Sequence, residues 1–415
     1  MRDLKPKAEY EHPHLLRNYR RTPINIVRGE GCELIDDRGN RYLDFVAGIA
    51  VCALGHAHPA IAKAIGAQAA TLVQASNLYH HEPAGMLATE LARRSGFGRV
   101  FFCNSGSEAN EAAIKLARKL AFRKGETERR TILACRGSFH GRSLGTLAAT
   151  DNPKYQEGFG PLPAGFAFTP FNDIAALDKA IDRRVAAFIV EPIQGESGVH
   201  PADPEFLAEA RRLCNERGAL LIFDEIQCGM GRLGTLFAFE TFGVRPDVVT
   251  IAKALSNGLP IGAMLIDEQA ASGLQPGDHG TTFGGSPVPC AAGLAHLLLR
   301  DQLDLDAHVK KVGALLWDGL VSLAADFPQA FGPPRGRGLM LGLPVREPFE
   351  AKSFMEAARL EKKLLINAAG SNTIRIIPPL IVSAEQIDDG LRRLRSATQS
   401  VLAASIAASQ SRSVT

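Results

Sequence analysis

The 415-residue sequence predicts an α/β fold, with a large domain on a mostly parallel central sheet followed by a smaller α+β domain. Three observations carry this expectation. Short, largely apolar runs of strand length, such as A-L-L-I-F at 219–223 and V-V-T-I at 248–251, alternate with segments of helical spacing. Strands apolar on both faces belong in sheets covered on both sides. Past Pro289 the texture changes to long helices separated by isolated short strands.

Taken in order, residues 1–30 read as irregular and polar. Runs 32–35 and 41–45 flank Asp37-Arg38-Gly39-Asn40, a hairpin signal. Helices are expected at 60–74 and 83–94, a strand at 99–103, and a helix at 107–123 with Ala109, Ala112, Ala113, Leu116 and Leu120 at helical spacing. Strands follow at 131–135 and 186–190, then a helix at 204–217 with Asp203 as its N-cap, then strands at 219–223 and 248–251. The last part reads as helices at 290–300 and 304–326, a strand at 338–343, a helix at 350–362, a strand at 374–377, a helix at 384–404, and a frayed tail from Ser409. The expected division is an N-terminal segment 1–45 packed with the small domain, a large domain 46–289, and a small domain 290–415.

Composition narrows the function classes. A 46% hydrophobic chain of this length can bury a large core. The net charge of +3 is spread without a basic block, so nothing points to nucleic acid or an anionic membrane as partner. The first thirty residues lack an apolar h-region, and no eighteen-residue apolar stretch occurs. Seven widely spaced cysteines with no C-x-x-C pair read as reduced thiols of a cytoplasmic protein. The histidines show no H-E-x-x-H, so no metal is expected, and His140 reads as a structural or polar-loop residue.

The chemistry-bearing residues stand at strand ends. Asp224 closes the run 219–223 and Lys253 follows the run 248–251. Ligands of parallel α/β sheets bind there. A buried amine with a lowered pKa can form an imine with an aldehyde cofactor, and a carboxylate can hold a pyridine nitrogen protonated. For these two residues alone, a buried salt bridge is the commoner role. In N-S-G-S-E-A-N at 104–110, Gly106 and Ser107 open a helix and can present free N–H groups to a phosphate. An ordinary cap is the default for Ser107. In F-H-G-R at 139–142, Phe139 can stack on a flat ring and Arg142 can fork onto a carboxylate. Each is more often a core or surface residue.

In combination these residues resemble the class III, or ω-amino acid, aminotransferases of PLP-dependent transferase fold type I. The resemblance runs from about Pro23 to Leu402, through A-L-G-H-A-H-P, N-S-G-S-E-A-N, F-H-G-R, E-P-I-Q-G-E, I-F-D-E-I-Q, A-K-A-L and H-G-T-T-F-G-G. It implies pyridoxal 5'-phosphate as cofactor. Lys253 then matches the Schiff-base lysine, Asp224 the pyridine partner, and Gln227 the residue near the ring hydroxyl. Ile226 and Phe139 match the two faces of the ring clamp; Gly106, Ser107 and Thr282 match the phosphate ligands. The resemblance also implies a homodimer in which Thr282 reaches across the interface. Thr281 and Arg142 match substrate contacts, and Glu196 matches a residue masking Arg375. Glu191 lies beside the site. The implied reaction moves the terminal amino group of N2-acetylornithine to 2-oxoglutarate; succinylornithine, ornithine and 4-aminobutyrate are alternative donors.

Two other motifs compete. Gly229 to Gly234 fits the dinucleotide fingerprint G-x-G-x-x-G but lacks a strand running into it, and reads as a turn. Gly141 to Gly145 fits G-x-S-x-G, which makes an α/β hydrolase using Ser143 the rival from another class.

Overall fold

A computed structural model describes residues 14–412. The strands are β1 (Ile26–Glu30), β2 (Glu33–Asp36), β3 (Arg41–Asp44), β4 (Arg99–Cys103), β5 (Thr131–Cys135), β6 (Phe166–Thr169), β7 (Val185–Val190), β8 (Ile193–Gln194), β9 (His200–Pro201), β10 (Leu220–Asp224), β11 (Val248–Ile251), β12 (Gly262–Ile266), β13 (Arg335–Arg337), β14 (Met340–Pro344), β15 (Leu364–Leu365), β16 (Asn367–Ala369) and β17 (Thr373–Ile376). The central sheet has the order β4-β12-β11-β10-β7-β5-β6. Only β12 runs against its neighbours; the other six strands share one direction.

The alternation of side chains along these strands feeds two cores. Ile132 and Ala134 of β5 pack with Ala112, Leu116 and Leu120 of the helix Gly106–Arg123. Leu133 and Cys135 point the other way, into the core that holds Phe206, Leu207 and Leu213 of the helix Pro204–Arg217. A strand places successive Cβ atoms on opposite faces, so a sheet covered on both sides needs apolar residues at every position. Burying each large apolar side chain contributes roughly 1.5–3 kcal/mol.

Two smaller sheets complete the fold. β1, β2 and β3 form an antiparallel meander, and β15 adds to β3 in parallel. The β2–β3 turn is held by Asp36, whose Oδ1 accepts from the N–H groups of Arg38 (3.0 Å) and Asn40 (2.8 Å). The order β13-β14-β17-β16 makes the second, wholly antiparallel, with the helices Leu305–Asp326 and Ala351–Lys362 beside it.

Several expectations need correction. Residues 26–30 are a strand, not irregular, because β2 supplies a partner edge. Strands β6 and β12 and the helix Ile174–Ala180 were not visible in the sequence pattern. The last helix runs Ala384–Arg412, past the expected frayed start at Ser409; residues 413–415 and 1–13 lie outside the described residues. Asp203 is the N-cap of its helix, yet its side chain makes no cap bond.

Candidate active site at the strand ends

The sheet gathers the polar strand ends at one edge. Asp224 closes β10 and lies opposite Thr250 of the parallel neighbour β11, and Lys253 follows Ile251 at the same end. Glu191 follows β7, and Asn104 follows β4. They surround a cavity of about 400 Å³ that Lys253, Asp224, Gly106, Ser107, Phe139 and Arg142 line, together with Ile226 and Gln227.

Lys253 opens a single 3-10 turn, Lys253–Ser256, with φ +43°. A non-glycine residue in this region costs of order 1–3 kcal/mol and persists only where the surroundings hold it. Its side-chain amine has no hydrogen bond or ion pair among the described residues. Burial lowers the Lys253 pKa; the carboxylates of Glu196, Asp224 and Glu191 oppose that shift, and the charge of Arg375 adds to it. The outcome is an unpaired amine with a larger neutral fraction, the state a nucleophile or base needs.

Asp224 is buried and its position is over-determined. Oδ2 accepts from Asn110 Nδ2 at 2.7 Å and meets His140 Nδ1 at 2.8 Å, while Oδ1 accepts from the Ile226 N–H at 3.1 Å. Asn110 and His140 are themselves tied in place. Thr250 Oγ1 donates to Asn110 Oδ1 (2.7 Å), and the His140 N–H donates to Thr150 Oγ1 (2.9 Å). Of the structural and polar-loop roles expected for His140, the fold gives it the structural one: the imidazole is buried against Asp224. Asn110 also went unread, although it lies one helical turn past Gly106, on the face that the cavity end of the helix presents.

The helix Gly106–Arg123 starts at the cavity, with Ser105 as its N-cap accepting from the Glu108 N–H at 3.2 Å. Ser107 is not the cap. Its hydroxyl meets Ser143 Oγ and Thr146 Oγ1, each at 2.8 Å. A Cβ on Gly106 would stand 2.6 Å from Ile226 Cδ1. Glycine here lets the Ile226 wall close on the helix end, leaving first-turn N–H groups for an anion.

Glu191 links two loops. It accepts from the Phe139 N–H at 2.9 Å and from the Gly195 N–H at 3.4 Å. Burial, then the nearby Asp224 charge, push its pKa well above the ordinary carboxylate range. Phe139 meets Tyr155 edge-on at 6.1 Å, and the exposed Arg142 lays its guanidinium 3.5 Å from the Tyr155 ring centre. Tyr155 was not singled out in the sequence, since its short helix Pro153–Gln156 has no periodic signal.

The β8–β9 hairpin carries Glu196 into an ion pair with Arg375 of β17, Nη1 to Oε1 at 2.5 Å. Gln227 joins both: its Nε2 donates to Glu196 Oε1 (3.1 Å), and its Oε1 accepts from Arg375 Nη1 (3.0 Å). Burial acts to raise the Glu196 pKa, but the charge and hydrogen bond of Arg375, with Lys253 and Gln227, outweigh it and hold the carboxyl low.

Neither Thr281 nor Thr282 lines this chain's cavity, although Thr281 touches its rim. Thr281 Oγ1 accepts from Asn104 Nδ2 at 3.0 Å, and the Thr282 carbonyl accepts from Gln74 Nε2 at 2.8 Å. The rival readings find no support. Ser143 Oγ bonds Glu111 Oε1 (2.6 Å), Ser107 and Thr146, with no histidine among its partners. Residues 229–234 form a buried turn with positive φ at Met230, Gly231 and Gly234, not a strand-to-helix junction.

Comparison with known proteins agrees with this geometry. The family described as Aminotransferase class-III matches residues 15–398. An acetylornithine aminotransferase of Thermosynechococcus vestitus is 48% identical over 91% of this chain and 93% of its own length. One of Xylella fastidiosa is 49% identical over 91% of this chain and 93% of its own. Among solved structures, ornithine aminotransferase of Toxoplasma gondii superposes with TM-score 0.90 at 32% identity, covering 94% of this chain and 93% of that one. A second structure of that protein is described with partial occupancy of PLP at its active site. N-acetylornithine aminotransferase of Stenotrophomonas maltophilia gives TM-score 0.81 at 39% identity, covering 92% and 97%. With its free lysine and its anchored aspartate at neighbouring strand ends, the chain belongs to the class-III aminotransferases.

Proposed function

We propose that this aminotransferase moves the terminal amino group of N2-acetylornithine to 2-oxoglutarate, giving N-acetylglutamate 5-semialdehyde and glutamate, a step of arginine biosynthesis. The observation that carries the two-substrate reading is the Glu196–Arg375 pair beside Lys253. The names of the similar curated proteins support the choice of donor.

The residues present fit pyridoxal 5'-phosphate. Lys253 would hold the aldehyde through Nζ, Asp224 the pyridine nitrogen, Phe139 and Ile226 the ring faces, and Gln227 the region of the ring hydroxyl. Gly106 and Ser107 would hold the phosphate at the helix start, where a Cβ on Gly106 would collide with Ile226. When bound, the cofactor supplies an electron sink for the carbon that loses its proton. Lys253 Nζ would carry that proton. Asp224, fixed by Asn110 and His140, would face the ring nitrogen. At ~4 Å and an effective dielectric of ~20 such a contact is worth roughly 4 kcal/mol.

Arg142 would receive the remote carboxylate of the donor, with Thr281 as a further contact. Arg375 is placed to receive a carboxylate of 2-oxoglutarate once Glu196 swings aside. For the amine donor, Glu196 neutralises Arg375, so a substrate without that second carboxylate meets no uncompensated charge.

We further infer a homodimer in which Thr282 completes the phosphate site of the other copy. Exposed apolar residues lie in this region: Phe283 follows Thr282, and Leu78 (83% exposed) and Tyr79 follow the Gln74–Asn77 segment that bonds Thr281 and Thr282. Such a patch marks a protein contact. A cytoplasmic location accords with seven free cysteines, and no helix among the described residues is long and apolar enough to cross a membrane. Residues 1–45, 46–289 and 290–415 are taken as three units, the first joined to the third through β3 and β15.

Single-turnover absorbance changes with N2-acetylornithine, N2-succinylornithine, ornithine and 4-aminobutyrate, run in parallel, test the assignment. N2-acetylornithine should have the highest rate constant over dissociation constant. A higher value for any of the other three would replace the proposed donor with that one.

A further inference from the structure

A second cavity, of about 590 Å³, lies between the helix Leu305–Asp326, strand β13 and the end of β9. Helical spacing puts Lys310, Gly313, Ala314 and Trp317 on one face, which forms one wall. Gly313 lets this face come close: a Cβ there would stand 2.9 Å from the Gly338 carbonyl oxygen. Arg335 and Arg337, two apart on β13, share a face of that strand and form the opposite wall. The buried Leu233 and Leu341 make an apolar floor.

The charge of this cavity is unbalanced. Among the described residues, Lys310 and Arg337 are exposed and have no acidic partner. Arg337 lies 5.1 Å from the Phe242 ring centre. Arg335 has no carboxylate either: Nε donates to the Gly198 carbonyl at 2.8 Å and Nη2 to Thr373 Oγ1 at 3.0 Å. Asp203 is the single acidic residue on the described walls, against three cations. Trp317, the only tryptophan of the chain, stands at the rim, 37% exposed. None of these residues lines the Lys253 cavity.

We propose that this cavity binds a small organic anion, its carboxylate held by Lys310, Arg335 and Arg337 and its apolar part against Trp317 and Leu341. A volume of this size suits a small molecule, whose sites run from about 300 to 1,000 Å³. Guanidinium groups match a carboxylate in fork geometry, and the Trp317 ring offers a flat apolar surface. Occupancy also reaches the first site. Arg335 anchors Gly198, two residues past Glu196 in the same hairpin, and the Glu196 carbonyl accepts from the Gly370 N–H at 2.7 Å. A carboxylate that draws Arg335 away frees that turn. This second consequence rests on the gating role proposed for Glu196; the binding site does not.

Because Trp317 is the only tryptophan, its emission in the holoenzyme reports the site directly. Titration with benzoate should give a saturable change, and benzyl alcohol, the neutral counterpart, should give none. In K310A/R337A, where both truncated side chains are exposed, the benzoate dissociation constant should rise at least tenfold. A change that never saturates, an equal response to benzyl alcohol, or an unaltered dissociation constant in the double variant would overturn the site. In a separate arm, benzoate should change the KM for 2-oxoglutarate in the parent enzyme and less in K310A/R337A. Saturable binding with no difference between the two enzymes in that arm would leave the site standing and remove its link to Glu196.

Discussion

At the residue scale, the chemistry reduces to how a few side chains are held. Asp224 is held by Asn110, His140 and the Ile226 backbone while sitting 3% exposed. Asp224→Asn keeps the shape and removes the charge. A loss of roughly 4 kcal/mol at the ring nitrogen corresponds to a fall in kcat of about 10³-fold. Steady-state kinetics of the cofactor-saturated variant check this, and a fall under tenfold would separate Asp224 from the electronic role. Glu196→Ala has a different signature. Uncovering Arg375 should weaken the N2-acetylornithine half-reaction and spare or improve the 2-oxoglutarate half-reaction, so that the two kcat/KM values diverge by about tenfold or more. Equal changes in both would dispose of the mask. Lys253 and Asp224 were legible because each ends an apolar run; Asn110 and His140 were not, since their function is to touch Asp224 and only the folded sheet brings residues 110, 140 and 224 together.

At the element scale, the turns after strands decide the site, and two of them yield predictions. The helix Gly106–Arg123 meets Ile226 where a Cβ has no room. Gly106→Ala should therefore destabilise the protein by about 1–3 kcal/mol through overpacking and weaken cofactor retention. Thermal unfolding with and without added cofactor measures both, and an unchanged holoenzyme Tm would contradict the close approach. Glu225 is fully buried and accepts from the N–H groups of Ala238 (2.5 Å) and Phe239 (2.8 Å), fastening the 229–238 turn. Burial pushes its pKa up to about 8, against the lowering effect of those two bonds. A folded pKa above the ordinary value of 4.5 means the folded state holds its proton more tightly. The contribution is present in full below pH ~4.5 and is lost as pH rises through about 8. Glu225→Gln should flatten the fall in Tm between pH 5 and pH 9, and an identical pH profile would show that Glu225 does not titrate there. The strands β5, β7, β10 and β11 could be read from their unbroken apolar runs. β12 could not, because G-A-M-L-I has no β-branched alternation before its final residue, and β1 could not, because it gains its identity only from pairing with β2.

At the scale of the whole molecule, the proposed phosphate site draws on a second copy. Thr282 lies outside the cavity of its own chain, beside an exposed apolar patch. Mixing inactive Lys253→Ala and Thr282→Ala chains through unfolding and reassembly tests this. If Thr282 acts across the interface, each mixed dimer contains one site with both residues intact and activity returns. No recovery in verified mixed dimers would place Thr282 in cis or outside the site. Periodicity and charge cannot supply this arrangement, since the proposed contact is between chains; only family resemblance implies it. Everything above rests on Lys253 holding an aldehyde cofactor through its side-chain nitrogen. Borohydride reduction of the pyridoxal-phosphate-saturated enzyme, followed by peptide mapping, addresses that claim most directly. The expected result is loss of activity with stable attachment of the cofactor at Lys253 alone; attachment at another lysine, or none in a fully active and saturated enzyme, would contradict it.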